Sequence, residues 1–500
     1  MRFDSPDYVL FLGLAILGFW LLARQRFYRQ LFILVASCLF YMAWSPYYIG
    51  LILFSAILDY TCGREIHASS DPRRRKRWLL LSLGGNLGLL GLFKYFDFVS
   101  SAVADGLGAL GLVFEAPSLS GMLNGSAGLA ADALGLLGFD VSWPILSVVL
   151  PVGISFYTFQ TLSYTIDIYR GKLEPERSFL SFAFFVTYFP QLVAGPIVRA
   201  SELLPQISAK PKLDRDRVSR GLFLIGTGLV KKIAIADFLS VNIVDRVFDN
   251  PELFTATEVV IALYAFTMQM YCDFSGYTDV ARGSARLMGF ELPENFDRPY
   301  NTTNPAAFWR RWHMTLSSWL RDYLYFPLGG SRGGPIRAYW NLWLTMFLIG
   351  IWHGASWNFV IYGAVQATAM VVHRFFHRRA GRTREAVDPW LIHGLKVFAC
   401  LQFVVFSRIL FRAADLDNAW ELTRRLFSGT TSVAQVSYLL WAVLIGTFLA
   451  HYSPRRWFQR LEETFVRLPP VAQGITLAIV AKTLGEVATS EVLPYIYFQF

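Results

Sequence analysis

Between Arg337 and Arg374 the chain runs without one Asp, Glu, Lys or Arg, and His353 sits in the middle of the run. One bilayer crossing takes ~20 apolar residues, and this stretch is longer. Basic residues at both ends predict two short spans, or one span plus a broken helix. The break is expected within 350–354, around Trp352-His353-Gly354. Irregular backbone at membrane depth persists only where protein or a water-filled cavity satisfies its polar groups. His353 is therefore expected to face an internal cavity. An ionisable side chain in an apolar membrane segment is costly and is a functional candidate by default. A desolvated imidazole stays neutral and can accept a proton near pH 7. The competing reading is a core histidine hydrogen-bonded to a neighbouring helix.

The rest of the chain is of the same kind. Hydrophobic residues make up 54% and charged residues only 16%, where a soluble domain carries ~25% charged. Long apolar segments recur from end to end, so the expectation is an all-α polytopic membrane protein, a single transmembrane domain over 1–500. Period-two alternation is not dominant, which excludes a β-barrel. The net charge of +10 fits basic cytoplasmic loops, and no nucleic-acid motif accompanies it. Cys38, Cys62, Cys272 and Cys400 are scattered in apolar context and give no disulfide or metal framework. The N-terminus does not read as a cleavable signal, since Asp4 and Asp7 precede the apolar run.

Taken in order, spans are expected at 8–22, 31–44, 47–62 and 78–98. The Arg-rich run within 64–77 is the strongest positive cluster and falls on the inner side, with the N-terminus outside. From Tyr95 to Tyr169 there is no Lys or Arg, which predicts an external loop over 101–143. Its low-complexity centre, 106–138, carries no evident chemistry. A span follows at 145–168. Basic residues flank the apolar segment 179–198 on both sides, and Pro190 and Pro196 interrupt it, so it is expected to be re-entrant. Lys231 and Lys232 interrupt 221–244 and either snorkel or meet an anionic ligand. In 257–280, Gln269, Asp273 and Tyr277 share a helix face. Asp273 needs a partner there, as structural glue or as part of a tunnel lining. Further spans at 393–411, 438–451 and 471–487 bring the total to about eleven or twelve. The closing aromatic run 494–500 reads as interfacial.

The stretch ahead of Arg337 is basic and aromatic. Asn304 suits an N-cap and Pro305 the first helical position. Phe308, Trp312, Leu316, Trp319 and Tyr323 recur at helical spacing; Arg310, His313, Ser317 and Arg321 fall on another face. With Trp309 and Tyr325 these rings suit the headgroup layer. The expectation is one amphipathic helix over 305–326 lying in the interface. The 329–335 loop, Gly-Gly-Ser-Arg-Gly-Gly-Pro, offers backbone N–H groups and Arg332 to an anion, or is a plain turn. His373 and His377 are spaced i, i+4, but the HExxH pattern is absent and a basic membrane edge is the better reading than a metal.

Several runs together resemble the membrane-bound O-acyltransferase (MBOAT) family, and within it the branch acting on alginate, related polysaccharides and teichoic acids. They are the 151–156 run PVGISF, Gly195-Pro196, Lys231-Lys232, the 271–283 run YCDFSGYTDVARG, FWRRWHMTLSSWLRDYLYFPLGG and GIWHGASWNFVIYG. The resemblance implies a multi-helix bundle with re-entrant pieces around a central tunnel. It implies that His353 and His313 are the catalytic positions, with Asp273, Tyr277, Gln269, Trp352 and Ser356 lining the tunnel. It also implies a bacterial cytoplasmic-membrane enzyme with no bound cofactor. The donor would be acetyl-CoA or an acyl carrier protein. The interfacial pattern of 305–326 and the glycine loop beside it place Arg310, His313 and Arg332 as a cluster near the cytoplasmic mouth where such an anionic donor enters, with Lys231 and Lys232 as further donor-binding candidates. The acceptor would be an extracytoplasmic polysaccharide or a partner acyltransferase. Lipid- or teichoic-acid-directed transfer is the near alternative. A transporter using His353 as a proton relay is the distant one, and no inverted repeat supports it.

Overall fold

The computed structural model describes residues 3–124, 150–381, 388–488 and 495. Every regular element among the described residues is helical, as hydrocarbon demands of a chain that must satisfy its own backbone. The expected residues 145–149, much of 106–138, and the closing run apart from Tyr495 lie outside them.

Local chemistry sets the helix ends. Ser5 caps Pro6–Leu21 by accepting from the Tyr8 amide. Asp71 caps Pro72–Leu90 through the Arg73 and Arg74 amides. Thr255 and Glu258 form a reciprocal capping box on Ala256–Leu287. That helix is buried along nearly its whole length. It packs on Arg215–Leu229 and reaches Trp390–Arg412 on another side. Among the described residues, three helices are by themselves long and apolar enough to cross a membrane: Pro72–Ala109, Trp357–Arg379 and Trp390–Arg412. Pro6–Leu21 and Tyr438–Tyr452 are apolar but shorter. Other expected spans are divided or carry polar groups toward the centre.

The two interruptions expected from flanking charge are present. The 179–198 segment is a short helix Phe179–Thr187, one turn Phe189–Leu192, and irregular chain from Val193. It is buried throughout 181–198, so protein covers the broken backbone. The 338–373 run is a hairpin of Pro335–His353 and Trp357–Arg379. Its arms cross where Gly350 meets Gly363: a Cβ on Gly350 would fall 2.2 Å from the Gly363 Cα. Small residues at such a crossing let two membrane helices approach backbone to backbone.

Several expectations are corrected. There is no single interfacial helix over 305–326. The segment is Pro305–Trp309, a turn, Met314–Leu320, and a π-helical turn Arg321–Tyr325. Its stripe of Phe308, Trp312, Leu316, Trp319 and Tyr323 is buried in the core. The helical periodicity was real, but the apolar face meets protein and not lipid headgroups. The 78–98 span begins at Pro72 and continues through a π turn, Gly91–Tyr95, to Ala109. Residues 101–109 are therefore helix and not loop. Lys231 and Lys232 do not snorkel. Lys231 pairs with Asp279 at 2.6 Å, and Lys232 with Asp273 and Asp237, each at 2.8 Å. Asp273 and Asp279 on the packed helix Ala256–Leu287, with Asp237 from the lysines' own π-helical turn, replace the water that snorkelling would seek. Tyr495 is not interfacial; it is buried against Tyr277 with Lys232 over its ring.

Candidate active site

His353 is the last residue of the first hairpin arm. A helix end leaves its final carbonyls without partners, and here a separate element supplies them. The π turn at Gly91–Tyr95 aims Lys94 and Tyr95 at that end. Lys94 Nζ donates to the carbonyls of Trp352 (2.6 Å) and His353 (3.1 Å), and the Tyr95 hydroxyl donates to that of Ile351 (3.1 Å). A cation at a helix C-terminus also complements the helix dipole. Gly354 then leaves in an extended conformation. A Cβ there would lie 2.1 Å from the Phe359 ring, so only glycine allows the chain to turn this tightly. The result is a fixed imidazole at a buried hairpin tip, 4% exposed.

His313 is fully buried and reaches the same place from another element. It occupies the turn between Pro305–Trp309 and Met314–Leu320 with φ +44° and ψ +55°. That left-handed conformation is uncommon for a side chain other than Gly, Asn or Asp. It swings the imidazole inward instead of continuing the surface of a helix. Nδ1 lies 3.1 Å from the Asn295 Oδ1. The same oxygen accepts from the Thr315 amide and hydroxyl, so it is an acceptor and Nδ1 carries the proton. Nε2 is then the basic nitrogen of His313.

Trp352 stands between the two histidines. Its ring is 5.9 Å from that of His313 and 5.1 Å from that of His353. Phe156, Phe274, Phe411 and Tyr362 close the surroundings. Two buried imidazoles among aromatic rings can take and return a proton, which is the chemistry of general acid–base catalysis.

The other sequence candidates divide. Arg310 lines a cavity of about 920 Å³ with His373, Arg374, His377 and Lys396. Arg332 is exposed on the glycine loop beside it, where Arg374 bonds Ser331. His313 is not with them; it belongs to the inner chamber, so the expected cluster of Arg310, His313 and Arg332 is split. The turn that separates them carries Arg310 outward and Trp312 and His313 inward. Lys231, Lys232 and Asp273 are engaged in ion pairs elsewhere. Gln269 bonds Ser240 and Tyr277 bonds the Ala194 amide. Ser356 opens the second hairpin arm as its N-cap residue. Sequence reasoning missed Lys94, Asn295 and Arg408. Lys94 carried a signal: it is the last Lys or Arg before the 95–169 stretch, which has neither. Asn295 and Arg408 carried none, being ordinary residues in unremarkable contexts.

Comparison with known proteins identifies the family. The family model described as MBOAT, membrane-bound O-acyltransferase family, matches residues 175–412, which include both histidines and the whole hairpin. The chain is 35% identical to the probable alginate O-acetylase AlgI of Pseudomonas aeruginosa, over 91% of this chain and 81% of that protein. It is 32% identical to the peptidoglycan O-acetyltransferase of Helicobacter pylori, over 85% and 79%. It is 29% identical to the teichoic acid D-alanyltransferase of Bacillus subtilis, over 47% and 64%. An all-helical, multi-pass chain with two imidazoles at a buried break, related over most of its length to membrane acyltransferases, belongs to the membrane-bound O-acyltransferase family and is an O-acyltransferase.

Proposed function

We propose that this enzyme moves an acetyl group from a thioester on the cytoplasmic side to a hydroxyl outside a bacterial cytoplasmic membrane. The observation that carries the reading is the convergence of His353 and His313 on Trp352 in one buried chamber. The acceptor hydroxyl gives its proton to the His353 imidazole as its oxygen attacks the thioester carbonyl. The carbon–sulfur bond breaks, and the departing thiolate takes the proton back. The products are an ester and a free thiol. His313, its tautomer fixed by Asn295, orients the acceptor or shares the proton.

The donor reading rests on the cavity at the basic end of the hairpin. Arg310, Arg374 and His377 suit the phosphates of CoA or of an acyl carrier protein's prosthetic arm, while Lys396 in the same lining is paired with Asp388 at 2.6 Å. His373 lies sixteen residues beyond Trp357, about 24 Å along the helix from the hairpin tip. An extended thioester arm suits that separation. Acetyl is preferred because the relatives of highest coverage carry acetylase or acetyltransferase names. A polysaccharide, or a partner acyltransferase that passes the group onward, is the acceptor class those names favour.

The test uses purified protein in liposomes. Radiolabelled acetyl-CoA, or acetylated acyl carrier protein, is given on one side and alginate, peptidoglycan fragments or a serine acyltransferase partner on the other. Label appearing in a base-labile ester on the far side supports the proposal. Label entering only lipid overturns the acceptor assignment, and transfer from neither donor overturns the donor assignment.

A further inference from the structure

Arg408 is the unexplained charge of the chamber. It lies on Trp390–Arg412 and is 1% exposed. Its guanidinium carbon is 4.9 Å from the Trp312 ring and 5.4 Å from the Phe411 ring. The His353 ring packs on the same Phe411 at 5.1 Å. Arg408 and His353 are thus neighbours across one phenyl ring, within electrostatic range of each other. The Tyr300 hydroxyl lies close enough to the guanidinium to interact with it. Yet Nε and Nη2 have no hydrogen-bond partner, and no carboxylate among the described residues pairs with Arg408.

Other buried cations of this protein are treated differently. Lys232, equally buried, is held by two carboxylates. Arg29, also buried, donates to three backbone carbonyls and leaves only its Nε unmatched. A desolvated guanidinium with two unused donor nitrogens is expensive and is not explained by packing. Nε and Nη2 form one edge of the guanidinium, whose parallel N–H groups suit a negatively charged oxygen.

We propose that Arg408 is the oxyanion-binding residue of the acyl-transfer centre. The inference rests on the reading of His353 as the base. When the acceptor oxygen adds to the thioester carbonyl, the carbonyl π electrons move onto its oxygen. The Nε–Nη2 edge receives that charge. As the carbonyl re-forms, the thiolate leaves and the Nε–Nη2 edge is again without a partner. A transient anion fits better than a permanent one on the substrate. A fixed carboxylate would have to shed its water among Trp312, Phe411 and Tyr362 at every turnover, whereas the oxyanion is created in place.

The test compares Arg408→Met, Arg408→Lys and the parent enzyme in liposomes with labelled acetyl donor. For Arg408→Met the expected result is a ~10²–10³-fold loss in kcat, the usual effect of deleting an oxyanion donor, with donor and acceptor KM little changed. Arg408→Lys recovers part of the rate by restoring a cation. Arg408→Ala regains rate when millimolar guanidinium is added. A parent-like kcat in Arg408→Met overturns the proposal, and so does a raised KM at unchanged kcat, which marks a ground-state anion clamp. If Arg408→Met does not fold, the comparison passes to Arg408→Lys: a monodisperse protein with parent kcat overturns it, and a reduced kcat at parent KM supports it. Failure of the function reading is separate, because it would appear as no His353-dependent transfer by the parent enzyme.

Discussion

Lys94 touches none of the reacting groups assigned here, yet it holds the carbonyls on which His353 depends. Lys94→Met would leave the Trp352 and His353 carbonyls without their donor. An unsatisfied buried group costs about 1–3 kcal/mol, so a lower melting temperature and a slower transfer rate are expected together. Lys94→Gln, which keeps a donor, should recover part of both. A Lys94→Met protein with parent melting and parent rate would contradict this role. His353 was legible in the sequence because a histidine in a charge-free apolar run stands out. Arg408 was not legible. An arginine near the end of an apolar segment reads as a boundary residue, and only packing reveals that it points into the chamber.

At the scale of elements, the hairpin was foreseeable and the 305–325 segment was not. Charge at both ends and glycine beside His353 were enough to predict the break in the first. In the second, no glycine or proline marks the turn, and a histidine adopts the left-handed conformation that ends one helix and starts the next. Periodicity alone cannot separate a stripe that faces headgroups from one that faces a core. The hairpin gives a sharp prediction. Gly354→Ala drives a methyl into the Phe359 ring, and Gly350→Val drives a larger group into the opposite arm. Overpacking of this kind costs about 1–3 kcal/mol. Both variants should lose thermal stability, and Gly354→Ala should lose transfer by more than its stability loss explains, because it moves His353. Gly354→Ala with parent kcat would show that the tip is not held as described.

For the whole molecule, the basic segments predict one common side. In a cysteine-free background, Ser70→Cys, Ser331→Cys and Ala380→Cys should label from the cytoplasmic face, and Ala116→Cys from outside. All four positions are exposed. Ser331→Cys and Ala380→Cys labelling from opposite sides would contradict the hairpin's return. The end predicted to be cytoplasmic also carries the basic cavity. Arg310→Gln and Arg374→Gln should each raise donor KM about tenfold, the worth of one charge-assisted hydrogen bond, at nearly constant kcat. Arg332→Gln, outside the lining, should change it less, and unchanged donor KM in all three would remove the cavity from the account. The central claim is that His353 takes the acceptor's proton, and the rate of His353→Gln at matched, folded, membrane-inserted protein tests it most directly. Glutamine keeps much of the volume and polarity but cannot act as a base near pH 7, so acyl transfer should fall ~10²–10⁴-fold with donor KM little changed. Transfer within a few-fold of the parent rate would contradict the claim.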